Sequence, residues 1–258
     1  MELLGIELDS VTQEARISSA RLSSWLSRAS CTKRQLQSLI RKLNFVCLVC
    51  RPGRTFLRRM INLLSSARYP SHHIRLNKGF LKDITWWMTF INDWNGRSLF
   101  YEDRWLSSDC VHLSTDASST SFGGLFGNMW FCDTFSSVGI PNHRSIAFKE
   151  LYAITTAVTV WAAQLQSQNV IFHCDNLSVV HILTSGSSRC PQIMSLVRYL
   201  FYVCATFNIA LKSLHIRGLD NAASDALSRL QVERFRTLVP LAQVLPTPVT
   251  RLPLENFK

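Results

Sequence analysis

The sequence contains no run of 18 apolar residues, and its opening stretch MELLGIELDS carries acids where a secretory leader needs positive charge. That pattern excludes a membrane-spanning helix and offers no export signal, so an intracellular chain, cytoplasmic or nuclear, is expected. No internal repeat is evident. Paired cysteines at metal-binding spacing are missing too. Cys31, Cys47, Cys50, Cys110, Cys132, Cys174, Cys190 and Cys204 are scattered, mostly through apolar segments, and the lone C-x-x-C of Cys47 and Cys50 has no second pair and no histidine nearby. Buried free thiols are expected there rather than a zinc site. Acids are few: 17 Asp+Glu against 28 Lys+Arg, a net charge of +11.

What is present is 47% apolar content in 258 residues, enough for one large or two small domains with sizeable cores. Leu3 to Ile17 reads as two short strands joined by a polar turn, and from Ser18 to about Asn95 the pattern is helical. Thr32 followed three residues later by Gln35 is a capping box opening KRQLQSLIRKLNFV, with Leu36, Ile40 and Leu43 along its apolar stripe. Pro52 and Gly53 break the chain. Arg54 to Ala67 then reads as a helix with Phe56, Met60 and Leu64 on one side, and Phe80 to Trp94 as another, in which Trp87, Phe90 and Trp94 have core spacing. The basic surplus lies in this half: residues 1–100 hold 16 Lys+Arg and 6 Asp+Glu, residues 101–258 hold 12 and 11. Arg51, Arg54, Arg58 and Arg59 are candidates for tracking a phosphate backbone without reading its sequence.

The second half is organised around Val111 to Trp130. Val111, Leu113 and Thr115 alternate with His112, Ser114 and Asp116, the period of a strand with two distinct faces. Gly123 and Gly124 allow close backbone approach in a second strand, and Gly127-Asn128 is the turn into a third. RSIAFKELYAITTAVTVWAAQL has an apolar helical stripe at Ala147, Leu151, Ile154, Val158 and Trp161, with Glu150 beside it. NVIFHCDN is a short buried strand ending at Asp175, Asn176 opens another helix, and Ile209 to Arg217 reads as a strand. The next helix carries Asp225 one turn inside, with Asp220 or Asn221 as its N-cap. Four carboxylates on four elements flanking one sheet can converge on a pair of divalent cations about 3.5 to 4 Å apart, as phosphodiester chemistry requires. Hard oxygen ligands of this kind suit Mg2+, with Mn2+ as a substitute.

The segments STDAS, AFKELYAI, HCDNLSVVHIL, SRCPQIMSLVRYL and HIRGLDNAASDALSR occur in this order. In these blocks the chain resembles ribonuclease H of the type joined to reverse transcriptases, most closely that of DIRS-like, tyrosine-recombinase-encoding retrotransposons. The last block resembles the family's HIPG-x-x-N-x-x-AD-x-LSR ending, with Arg217 and Ser224 in place of Pro and Ala. The resemblance implies an α/β fold with a ribonuclease H-like mixed five-stranded sheet flanked by helices. It makes Asp116, Glu150, Asp175 and Asp225 the catalytic, metal-binding carboxylates holding two Mg2+ ions. Cellular members carry a mobile histidine in a longer loop before the last aspartate; here only Leu219 to Ser224 separate Gly218 from Asp225, and His215 is expected to be a strand histidine bonded to a neighbour.

The resemblance extends outward. LGIELD is similar to the block closing a reverse transcriptase palm, so residues 1–17 are expected as a palm-remnant hairpin and 18–100 as a helical thumb or connection-like subdomain. The nuclease would occupy 108–230, and 231–258, carrying Pro240, Pro246, Pro248 and Pro253, reads as an extended linker of the kind that leads into a tyrosine recombinase. Palm and fingers would lie elsewhere in the same polyprotein, and no polymerase signature occurs here. The implied activity is hydrolysis of the RNA strand of an RNA:DNA hybrid, with Ser118 and Asn176 as candidate contacts to the 2′-OH. The alternative is a catalytically silent module that grips template-primer duplex, within a larger polymerase or as a domesticated host protein.

Overall fold

The computed structural model describes residues 2–3, 6–9, 14–17, 20–47, 51–94 and 111–257. The chain divides into two compact units, Met1–Arg104 and Trp105–Lys258. The expected connection from Phe100 to Leu106 lies outside the described residues.

In the first unit, β1 (Glu2–Leu3), β2 (Ile6–Asp9) and β3 (Glu14–Ile17) form a small antiparallel sheet, whose β2–β3 pair aligns Ile6 with Ile17 and Asp9 with Glu14. Helix α1 (Ala20–Leu26) precedes strand β4 (Ser30–Thr32), and α2 (Lys33–Val46) starts at the expected capping box. The Gln35 amide donates to Thr32 Oγ1 at 3.2 Å, and the Thr32 amide donates to Gln35 Oε1 at 2.9 Å. Leu36, Leu39, Leu43 and Val46 form the buried stripe, with Ile40 at its margin.

The second expected helix is divided: a 3-10 segment, Arg51–Leu57, leads into α3 (Arg58–Leu64). Gly53 lets this segment lie directly on Trp87, because a Cβ there would lie 2.2 Å from the Trp87 ring. Strand β5 (His73–Arg75) pairs with β4, and α4 (Lys78–Trp94) follows. Phe56, Trp86 and Phe90 stack in sequence, with ring centroids 3.6 and 4.8 Å apart, so these aromatics are core.

The second unit is built on a five-stranded sheet. Its elements are β6 (Val111–Ala117), β7 (Ser121–Phe126), β8 (Met129–Thr134), α5 (Ile146–Val160), β9 (Asn169–Cys174), α6 (Leu177–Ser185), α7 (Pro191–Thr206), β10 (Ala210–His215), α8 (Ala222–Ser228) and α9 (Val232–Leu238). The strand order is β10-β9-β6-β7-β8; β6, β9 and β10 run parallel and β7 runs against its neighbours. That order and those directions are the expected ribonuclease H-like mixed sheet, flanked by helices. Gly127 supplies the positive φ of the β7–β8 turn. Helix α5 is buried continuously from Phe148 to Val158 rather than along one stripe, because it lies between the sheet and α7.

Residues 231–258, expected as an extended linker, form over their described part a short helix and an irregular, largely exposed run that is fastened to the domain at particular residues. Phe235 of α9 is fully buried against Trp130, and the following chain runs along the β8 edge: the Gln243 amide donates to Asn128 O at 2.8 Å and the Thr247 amide to Trp130 O at 2.7 Å. Leu252 is buried, and Phe257 meets Tyr199 and Tyr202 of α7. The prolines prevent a regular strand while still letting the segment cover an open sheet edge. Among the described residues, no helix is long and apolar enough to cross a membrane.

Candidate metal centre

Strand register sets two of the acids side by side. Ser114 of β6 pairs with His173 of its parallel neighbour β9, so two residues further along each chain Asp116 and Asp175 stand at the same end of the sheet. Glu150 comes from α5, which packs on β6, and is buried there. Glu150, Asp175 and Cys174 each offer a ligand atom within 4.8 Å of the others. An open cleft of about 370 Å³ lies over this point, lined by Glu150, Asp175, Asn176, Leu177, Ser178 and His215 among others.

Glu150 and Asp116 are crowded by other acids, and the Arg229 charge acts against that crowding at Asp116. Burial, reinforced by the charges of Asp116 and Asp175 and opposed by the Ala117 amide, pushes the Glu150 carboxyl up to about 9. One of its oxygens, Oε2, is buried with no hydrogen-bond partner. Burial also raises Asp116; the Ser228 hydroxyl, which donates to Asp116 Oδ2, opposes it, while Asp175 and Asp225 add to the rise. A buried oxygen with no partner, next to other carboxylates, is a donor set suited to a hard divalent cation.

Asp225 belongs to the same neighbourhood, since its charge acts on Asp116, but it is engaged differently. Arg229 Nε donates to Asp225 Oδ1 at 2.6 Å and Arg234 Nη1 to Oδ2 at 3.0 Å. Burial pushes this carboxyl up, yet the two guanidinium groups outweigh it and hold the group below the usual carboxylate range. The helix carrying it is fastened to β6 and β7. A Cβ on Gly123 would lie 2.4 Å from Leu227 Cβ, so glycine at that position lets α8 lie directly on the strand. Asn221 Nδ2 donates to Thr115 O at 2.9 Å, and Ser224 Oγ donates to Ser114 Oγ at 2.9 Å. Asn221 therefore stands at the N-cap position without capping: its amide is used across to the strand. Asp220, the other expected cap, pairs with Arg217 on the surface.

The remaining sequence candidates separate. The Ser118 hydroxyl is used inside its own turn, accepting from the Ser121 amide at 3.0 Å. Asn176 caps α6 through Oδ1, which accepts from the Ser178 amide at 3.0 Å, and it also lines the cleft. His215 does bond to a neighbour, the carbonyl oxygen of Asp175, at 3.2 Å, and by doing so stands at the cleft. In the first unit Arg54 and Arg58 are exposed, whereas Arg59 is tied to buried Asp83 at 2.8 Å; the Arg51 side chain lies outside the described set. Sequence reasoning missed Cys174, Ser228, Arg229 and Arg234 as neighbours of the acids. The Arg229 signal was legible, because it lies four residues after Asp225 on one helix face.

No family model matches the chain, and no curated protein matches it. Among solved structures, the chain is similar to ribonuclease H1 from the halophilic archaeon Halobacterium salinarum NRC-1, at 17% identity and TM-score 0.39, over 48% of this chain and 97% of that one. It is also similar to the prototype foamy virus protease-reverse transcriptase, at 16% identity and TM-score 0.31, over 72% of this chain and 24% of that one. A foamy viral protease-reverse transcriptase in complex with double-stranded DNA matches at 12% identity and TM-score 0.32, over 84% of this chain and 44% of that one. The chain thus spans less than half the length of these viral chains.

Proposed function

We propose that the second unit is a ribonuclease H, a metal-dependent endoribonuclease that hydrolyses the RNA strand of an RNA:DNA hybrid. The observation that supports this is the meeting of Asp116, Glu150 and Asp175 at one end of the sheet, with a Glu150 oxygen buried and unpartnered. Asp116, Glu150, Asp175 and Asp225 would hold two Mg2+ ions. When bound, such a pair supplies the Lewis acidity that lowers the pKa of an attacking water and stabilises a leaving 3′-oxygen.

The chain's own residues do the positioning. Glu150 would release on loading the proton that burial holds on it, and Ser228 keeps the Asp116 carboxylate oriented by its hydroxyl. Arg229 and Arg234 hold Asp225 until a polyanion offers them phosphates instead. Asn176, whose capping oxygen is occupied, has its amide nitrogen for a 2′-OH, and Ser118 shapes the turn beside Asp116. Arg54 and Arg58 are proposed as sequence-independent phosphate contacts of a thumb or connection-like first unit that follows a palm-remnant hairpin. The DIRS-like, polyprotein origin belongs to this proposal as well.

Cleavage of a labelled hybrid, with duplex RNA and duplex DNA as controls, tests the reading. Mg2+-dependent cutting of the hybrid alone, lost in Asp175→Asn, is the expected result. One observation favours the silent template-primer-binding module: the fourth acid is already neutralised by two arginines. Salt-dependent hybrid binding that is indifferent to Mg2+, without cutting, would select that reading.

A further inference from the structure

A single exposed tyrosine is ordinary on a protein surface and by itself points to nothing. The loop that carries Tyr69 is less ordinary. From Ala15 to Lys82 the sequence has 15 Lys+Arg and no Asp or Glu. Late in that run, residues 65–72 connect α3 to β5, and the carbonyls of this connection are tied to the start of α2. The Lys33 amide donates to His72 O at 2.9 Å and the Arg34 amide to Pro70 O at 3.0 Å, while Lys33 Nζ donates to Ala67 O at 2.6 Å and to Arg68 O at 3.3 Å. The loop so held presents Tyr69 with 53% of its surface exposed. His72 braces the ring edge-on, with centroids 5.0 Å apart, and the exposed Arg68 places its guanidinium 5.5 Å from the ring centroid. Directly afterwards, His73 and Arg75 of β5 are exposed on either side of buried Ile74.

From this geometry we infer that the Tyr69 loop binds single-stranded nucleic acid, with the tyrosine ring stacked on one unpaired base and Arg68 and Arg75 on the flanking phosphates. Charge selects a polyanion, because a long stretch of cations with no acid of its own attracts one whatever its sequence. The ring then selects among polyanions, since every base has a π-face and a bare phosphate chain has none. It also selects single strands: inside a duplex both faces of a base are covered by its neighbours, and only an unpaired base can lie on a lone side-chain ring. Arg68 gives up the ring face to the base and turns to a phosphate, exchanging a cation–π contact for a charge-assisted hydrogen bond. The loop is already fixed, so little freedom is lost on binding. The inference goes beyond the nuclease reading. It concerns the first unit, needs no metal, and adds to the duplex contacts proposed for Arg54 and Arg58 a contact that the interior of a hybrid cannot make.

Binding is measured on the full chain in chelator, by fluorescence anisotropy of three labelled probes of equal length: a mixed-sequence RNA strand, the same strand made abasic, and a blunt hybrid duplex. Tyr69→Ala should weaken binding of the single strand about fivefold or more, while the abasic strand and the hybrid bind this variant as they bind the unaltered chain. Tyr69→Trp, which keeps a π-face, should retain single-strand affinity. The dependence of affinity on salt separates the two contributions: Tyr69→Ala should leave the slope of log affinity against log salt unchanged, and Arg68→Gln should flatten it by about 0.7. Unchanged single-strand affinity in Tyr69→Ala overturns the inference. So does an equal loss on the abasic strand or the hybrid, and so does an unaltered chain that binds no single strand. Cleavage of hybrid with Mg2+ is scored separately. Tyr69→Ala should cut as the unaltered chain does, and Asp175→Asn should bind the single strand as the unaltered chain does, so that failure of the nuclease reading and failure of the stacking site are told apart.

Discussion

Replacing Glu150 by glutamine is expected to stabilise the metal-free protein, and increasingly so as pH rises. The Glu150 carboxyl is held up to about 9 in the fold from an ordinary value of 4.5, with burial as the largest cause. Between those values the folded chain keeps a proton that the unfolded chain has released. Folding stability therefore falls as pH rises through this window, by about 1.4 kcal/mol per pH unit. From about pH 6 to about pH 8 the loss is roughly 3 kcal/mol, and the whole window amounts to about 6 kcal/mol. Against the 5–15 kcal/mol typical of a domain, that is a large charge on the fold. Glutamine cannot ionise and keeps an oxygen for the Ala117 amide. Urea unfolding of both proteins in chelator, at a series of pH values, should give a stability difference that widens with pH. Added Mg2+ should close the gap by stabilising the unaltered chain, since a ligand bound only to the fold adds stability as its concentration passes its Kd. Parallel stability curves for the two proteins across the window would refute the reasoning.

Gly123→Ala places a methyl group 2.4 Å from Leu227 Cβ and 2.9 Å from the Leu227 carbonyl carbon, so α8 must lift from β7. A cost of about 1–3 kcal/mol by urea unfolding is expected, with loss of hybrid cleavage exceeding the loss of folded protein. Arg229→Gln combined with Arg234→Gln frees Asp225, and Mn2+ affinity measured by calorimetry should rise. The sign of the pH effect follows from the lowered Asp225 carboxyl: its pairing stabilises the fold above the unfolded-state pKa and is lost as pH falls through the folded one, so the double variant should lose less stability on acidification. Leu252→Ala should cost about 2–4 kcal/mol, because Leu252 is buried in the main core; no change in stability would mean that the C-terminal segment is not held against the domain.

Much of the second unit's fold was legible because its elements announce themselves by period. The alternation through Val111–Asp116 and the apolar run NVIFHC each correspond to a strand, Gly127 lies in the turn between two more, and Asn176 and Gly186 bound α6 as N-cap and left-handed C-cap. How the tail is fastened was not legible, for a physical reason. Its burial depends on single contacts, Phe235 on Trp130 and Phe257 on Tyr199 and Tyr202, spaced by prolines, and such contacts have no period. The Arg59 pairing was not legible, because helical spacing reveals which residues share a face, not that buried Asp83 from another helix lies opposite one of them.

The acids themselves were legible, but the means of holding the fourth was not. Helix α8 has only seven residues, and its apolar contact, Ala226 and Leu227 against Trp130 and Phe235, is too short to fix by itself where the helix sits. A polar stripe does so. Asn221, Ser224 and Ser228 recur at helical spacing, all three are buried, and they bond respectively to Thr115 O, Ser114 Oγ and Asp116 Oδ2 along a single strand. Hydrophobic contact is non-directional and would tolerate sliding of so short a helix. Hydrogen bonds to successive positions of β6 do not, because a displacement of one residue would leave buried donors unsatisfied at about 1–3 kcal/mol each. Ser224, the departure from the resembled AD motif, is thus matched by Ser114 across the interface. The register of Asp225 against Asp116 is set by three short polar side chains, and a search for apolar periodicity passes over all of them.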